Sequence, residues 1–210
     1  MKVRTLNELE SSIDSEISWR KKELVDYKLT VDRNINSTIV IPLCRGGIAL
    51  SYAHWEGFIK SASSLFINYI SMRKIPLNSL KTNFVALAFQ RQLNKGKAVQ
   101  ECVTLIDELL FQRDKPAKFF ERDIIDTKAN LRFGVLSDIL LSLGLDKTQF
   151  AAKENFLDKK LVEPRNDIAH GTYRDISYED YLIVHENIIP LMEHYKTLIE
   201  NSAALESYKI

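Results

Sequence analysis

The chain has 210 residues, of which 45% are apolar and 27% charged, with seven Gly, five Pro and a formal net charge of +1. That length suits one domain at about 150 residues per domain, and the composition excludes a disordered chain and argues against a turn-rich β fold. Two cysteines, Cys44 and Cys102, supply neither a disulfide framework nor a C-x-x-C metal or redox pair.

From the start of the chain, Thr5-Leu-Asn-Glu8 fits a helix capping box, in which a hydroxyl and a carboxylate satisfy the first free backbone N–H groups. Leu6, Leu9, Ile13, Ile17, Leu24, Tyr27 and Val31 then recur at helical spacings and predict a long amphipathic helix. The first fourteen residues hold no continuous apolar run, so no secretory signal is expected there. A second long helix is predicted over about residues 38–73. Its inward stripe is Ile48, Tyr52, Trp55, Ile59, Ala62, Phe66 and Tyr69, with Gly46, Ala53 and Gly57 small enough beside it for a second helix to come close.

Shorter helices are predicted over about residues 78–92, 97–113 and 128–143, with Asn94-Lys-Gly96 and Lys115-Pro116 as breaks. Cys102 falls on the inward side of its helix and is expected in the core. Another helix covers about residues 155–170 and stops at Gly171. The last covers about residues 177–203, with Tyr181, Val184, Ile188, Met192, Tyr195 and Leu198 inward and a kink expected at Pro190. The strongest apolar run, residues 139–145, is far short of the roughly 20 residues that span a bilayer. An all-α helical bundle with short connections, one domain over residues 1–210, is therefore expected, cytoplasmic and without a membrane partner.

The small net charge is a cancellation. Residues 33–100 hold nine Lys/Arg against a single acid, Glu56, a balance of +8. Residues 101–210 hold 14 against 20, and residues 1–32 six against seven. Such segregation marks either a polyanion surface or complementary protein contact. Arg45, Lys95 and Lys97 are the candidate RNA contacts in the basic section.

The segment carrying chemistry is Arg165-Asn-Asp-Ile-Ala-His170-Gly171. Arg offers a planar fork to phosphate oxygens, and His exchanges protons near neutrality. At i and i+4, Asn166 and His170 share a helical face, so the amide is expected to orient the imidazole. RNA cleavage without a metal needs a base for the 2′-OH, a cation for charge on phosphorus and an acid for the leaving oxygen. One histidine cannot conveniently serve as both acid and base in one step, and two copies facing across a dimer axis could. The competing reading is a capped helix end, with Arg165 paired to a carboxylate such as Asp167. Glu56 could orient Arg165 or His170, or pair with Arg45 as scaffold. His54 is expected to be structural or at the surface. His185 and His194, nine apart without acidic neighbours at ligand spacing, argue against zinc, and no metal or other cofactor is expected.

Arg165-Asn166-x-x-x-His170 resembles the R-x(4–6)-H signature of the HEPN superfamily. Together with Tyr52-Ala-His-Trp-Glu-Gly-Phe-Ile-Lys60, it resembles more narrowly the MAE_28990/MAE_18760-like HEPN nucleases. The resemblance implies a four-helix core with additional helices, a homodimer, and metal-independent endoribonuclease activity at a composite site. It also implies phage defence, toxin–antitoxin or restriction-linked systems, with an antitoxin or defence-system partner protein. By position, Arg165 and His170 are the catalytic pair and Asn166 the supporting polar residue; Asp167 and Glu56 are further candidate supporting residues from the reading of the chain itself. The alternative is a catalytically silent HEPN module that binds RNA or a partner protein.

Overall fold

The computed structural model describes residues 2–93, 98–119 and 125–210. Three long helices form its frame: α1 (Leu6–Arg33), α2 (Val40–Met72) and, at the other end of the chain, α8 (Tyr178–Ala204). Between them lie α3 (Thr82–Leu93), α4 (Val99–Phe111), α5 (Phe133–Ser142), the short α6 (Thr148–Ala151) and α7 (Glu163–Ala169). The described residues contain no strand, only two isolated bridges, Pro76 with Pro116 and Leu80 with Lys209. The fold is all-α.

The stripes read from the sequence become the core. Thr5 Oγ1 accepts the Glu8 N–H at 3.2 Å, and Glu8 Oε2 accepts the Thr5 N–H at 3.2 Å, closing the capping box of α1. Those backbone hydrogen bonds, the one from Arg4 foremost, hold the Glu8 carboxyl below its ordinary range. Leu9, Ile13, Ile17, Leu24 and Val31 are buried against α2 and α8. Helix α2 runs through the middle, in contact with α1, α7 and α8. Beyond its expected stripe it also buries Phe58, Ile67 and Ile70, because neighbours cover it on several sides. Each such side chain contributes about 1.5–3 kcal/mol when fully buried. Helix α8 starts with a second capping box, Ser177 with Asp180, and continues past Pro190, which lies on its exposed side.

The small-residue row divides its work. Gly46 and Gly57 face Tyr27 and Arg20 of α1, whereas Ala53 is exposed. Gly47 is the tightest point: a Cβ there would overlap the ring of Tyr181 on α8 and approach Tyr27 Cε1 to 3.0 Å. His54 is buried, with its Nε2 2.8 Å from Glu23 Oε2 and Trp19 against its ring. Its role is structural.

Several expectations need correction, among them the start of α5, which begins at Phe133 and not near residue 128. Helix α4 buries no residue, so Cys102 is half-buried and not in the core. Leu105 and Leu109 lean on the core, while Val99, Val103, Ile106 and Leu110 face outward. The helix expected over residues 155–170 is not uniform either. Phe156–Val162 is a π-helical stretch that passes into α7 at Glu163. Pro164, buried in the first turn of α7, explains the widening: it has no N–H to give, and its ring would crowd a carbonyl one α-turn back. Asp158 of the wide stretch accepts the Phe133 N–H at 2.7 Å and so caps α5. No helix among the described residues is long and apolar enough to cross a membrane.

Candidate functional site

Helix α7 presents Arg165 at its start and His170 at its end. The Arg165 guanidinium lies over the ring of Tyr52 on α2, with Cζ 4.2 Å from the ring centroid. Its Nη1 donates to Asn166 Oδ1 at 2.9 Å and reaches the Ala129 carbonyl at 3.5 Å. All three partners are neutral, and among the described residues no carboxylate forms an ion pair with Arg165. Asp167, the partner suggested by the competing reading, is bound to Arg174 Nη1 at 2.8 Å instead. The arginine is held in place by neutral groups and without an ion pair among the described residues, a state suited to receiving an anion.

The other wall is a loop tied to α2 at two points. Thr127 Oγ1 donates to Glu56 Oε1 at 2.6 Å, and the Leu131 N–H donates to the Tyr52 hydroxyl at 2.8 Å. Tyr52 and Glu56 are one helical turn apart, and Thr127 and Leu131 are also four apart, so the two anchors bracket the loop. Between them Lys128 and Ala129 both take left-handed backbone, each with φ of 52°. Neither is glycine, so each costs about 1–2 kcal/mol. The bracketing bonds and the complete burial of Leu131 hold that conformation. It turns the Ala129 carbonyl toward Arg165 and Asn130 Oδ1 toward the Asn166 amide nitrogen, 3.4 Å away.

Glu56 thus forms no ion pair or hydrogen bond with Arg45, Arg165 or His170; it holds the loop that does contact Arg165. The Tyr52 hydroxyl is pushed up to about 12, chiefly by burial, with the Glu56 carboxylate adding to the rise and the Leu131 N–H and Arg165 opposing it. It therefore stays a neutral phenol across the physiological range.

His170 is the residue on which α7 ends. Its backbone (φ −91°, ψ 5°) has left the helix, and its N–H bonds the Asn166 carbonyl at 2.9 Å. Gly171 follows at φ 72°, its N–H bonded to the Ile168 carbonyl, while the Thr172 N–H reaches the Asp167 carbonyl at 2.8 Å. These two bonds form a Schellman close. The Asn166 amide engages Arg165 and Asn130, and the hydrogen bond to the imidazole expected from the i and i+4 spacing is not formed. The imidazole is exposed, and no hydrogen bond or ion pair joins it to another described residue.

Arg45 reaches the same end of the molecule from α2. Its Nη1 donates to the Arg174 carbonyl at 2.6 Å and its Nη2 to the Thr172 carbonyl at 3.4 Å, which fixes the loop after His170. Lys95 and Lys97 lie outside the described residues. Sequence reasoning missed Tyr52 as a site residue, together with Asn130 and Arg174. Only Tyr52 left a signal, since it stands one turn before the lone acid Glu56 on the same face.

Comparison with known families agrees with this frame. The family model described as RiboL-PSP-HEPN matches residues 15–201, from within α1 to near the end of α8. Comparison with curated proteins and with solved structures gives no match. The superfamily expected from the Arg-Asn…His motif is the one found, while the family within it bears a different name from the group resembled on two segments. The chain belongs to the RiboL-PSP-HEPN family.

Proposed function

We propose that the protein is an endoribonuclease that cleaves single-stranded or looped RNA without a metal ion, using Arg165 and His170 from two copies of the chain. The observation that carries the reading is the state of Arg165: positioned by Tyr52, Asn166 and Ala129, all neutral, with its charge left for an anion. The exposed imidazole at the other end of the same short helix supports it, as does membership of a HEPN family.

In the proposed reaction one His170 takes the proton from a ribose 2′-OH, and the 2′ oxygen attacks the adjacent phosphorus. The bond to the 5′ oxygen breaks, and that oxygen receives a proton from His170 of the second copy. Arg165 stabilises the charge that builds on the phosphoryl oxygens. The products are a 2′,3′-cyclic phosphate and a 5′-OH end. The same family frame supports a place in phage defence, toxin–antitoxin or restriction-linked systems, alongside an antitoxin or defence-system partner protein.

The test is an RNase assay on the purified protein in EDTA. Cleavage that persists with the chelator and disappears in Arg165→Ala and His170→Ala is the expected result. Equal cleavage by wild type and both variants would remove the site assignment. No cleavage under any condition favours a silent module that binds RNA or a partner protein.

A further inference from the structure

Tyr173 stands three residues after His170 with 81% of its surface exposed, yet the backbone on both sides of it is fixed. Before it, the Thr172 N–H is bound by the Asp167 carbonyl and the Thr172 carbonyl is approached by Arg45. After it, the Arg174 carbonyl accepts from Arg45 at 2.6 Å, and the Arg174 guanidinium is tied to Asp167 at 2.8 Å. An exposed ring is ordinary, but here four ties fix the chain on either side of it, so the point from which the ring projects is set. Fixing the backbone that carries an aromatic lowers part of the ordering cost of binding.

The surroundings say what that surface suits. Arg45 Cζ lies 5.9 Å from the Tyr173 ring centroid. Both of its bonds go to neutral carbonyls, so it brings an uncompensated positive charge beside the ring. A flat aromatic face next to a cation, three residues past an exposed imidazole and one short helix away from Arg165, matches an unpaired nucleotide: base on the ring, phosphate toward the cation.

We infer that Tyr173 is a stacking platform for an unpaired nucleobase of the RNA strand lying across the Arg165/His170 site, with Arg45 fixing the loop and supplying charge beside it. The inference rests on the reading of that site as RNA-binding. It assigns Tyr173 to substrate placement, outside the proton transfers.

The test uses a single-stranded oligoribonucleotide made uncleavable by 2′-O-methyl groups, with binding followed by fluorescence anisotropy at fixed salt. Tyr173→Ala should weaken binding by about tenfold, while Tyr173→Phe and Tyr173→Trp stay within about twofold, because stacking needs a ring and not a hydroxyl. Oligonucleotides lacking one base at successive positions supply the second readout. At one position the missing base should cost the wild type about the same factor and cost Tyr173→Ala nothing. Wild-type binding by the Ala variant, or losses in Phe and Trp equal to that in Ala, would overturn the inference. So would a Tyr173→Ala variant that loses affinity only together with its sedimentation as a dimer, since the ring would then serve contact between protein copies. Ring-dependent binding by a protein that cleaves no RNA would remove the proposed nuclease and leave this platform standing. A wild type that binds no oligonucleotide removes both.

Discussion

The guanidinium of Arg165 rests on the face of Tyr52, 4.2 Å above it, while the hydroxyl of the same tyrosine takes the Leu131 N–H. One buried side chain therefore sets both the arginine and the loop beside it. The two roles separate by substitution. Tyr52→Phe keeps the stack and strands the Leu131 N–H, so it should cost about 1–3 kcal/mol of stability with modest loss of cleavage. Tyr52→Leu also loses the stack, and its cleavage rate should fall about tenfold below that of the Phe variant. Urea midpoints and steady-state kinetics on the pair decide it; equal cleavage would show that the stack does not serve activity.

Asn166 allows the charge on Arg165 to be tested without removing it. Asn166→Asp keeps an acceptor against Nη1 but makes it anionic, which neutralises the site and loses the bond to Asn130. RNA affinity should drop about tenfold, more than in Asn166→Ala, although the aspartate holds Arg165 more firmly. An aspartate variant that binds RNA as well as the alanine variant would mean that the arginine does not meet phosphate.

Gly171→Ala probes the end of α7. A Cβ there meets nothing within 4 Å, so the cost comes from the backbone alone at φ 72°, about 1–2 kcal/mol. Because the close that Gly171 makes defines where His170 leaves the helix, cleavage should fall by more than the stability loss explains. Thermal melts alongside kinetics at a temperature where both proteins are folded make the comparison.

Acid should destabilise the fold before the carboxylates titrate. Burial pulls His54, His185 and His194 below the ordinary histidine value of 6.5; Glu23 opposes it at His54, Asp32 and Glu186 at His185, and Asp146 at His194, while Lys28 reinforces it at His185 and Arg20 at His54. Below that value the unfolded chain takes up protons that the folded chain refuses. The contribution is thus present above about pH 6.5 and lost as pH falls. Glu200, pushed up by burial, works in the other direction. The urea midpoint should drop between about pH 7 and pH 5, and His185→Gln with His194→Gln should flatten that slope. A slope unchanged by the double variant would assign it elsewhere.

Gly47→Ala should be the most damaging small change in the frame. Its Cβ would overlap Tyr181, whose ring is itself buried between α2 and α8, so neither wall has room to yield. The expected loss is about 1–3 kcal/mol, read from denaturant unfolding, against a near-neutral Ala53→Gly control corrected for helix propensity.

The long helices were legible because a face buried along its whole length must repeat with the helical period, and Leu9 to Val31, Ile48 to Tyr69 and Tyr181 to Tyr195 do so. Helix α4 was misread for the converse reason: it is apolar on two sides, and periodicity does not say which side finds a partner. The motif residues were legible by type, but their contacts were not. Projecting residues 155–170 on a uniform helix ignores the extra residue per turn that the π-helical stretch introduces ahead of Arg165. The loop that braces Arg165 left no trace, since its left-handed residues are Lys128 and Ala129 in place of the glycine or asparagine that would have announced the turn.

The neutral setting of Arg165 also decides how cleanly the site can be silenced. Removing one member of an ion pair strands its counter-ion, and the damage that follows mixes lost function with electrostatic strain. Arg174→Ala would do this by leaving Asp167 without its partner. Arg165→Ala orphans no charge among the described residues: an amide and a carbonyl are left to water, and the only packing lost is the cover over the Tyr52 ring. That variant should come close to an inert twin of the protein, alike in fold and surface and different only in what it can do to a phosphate.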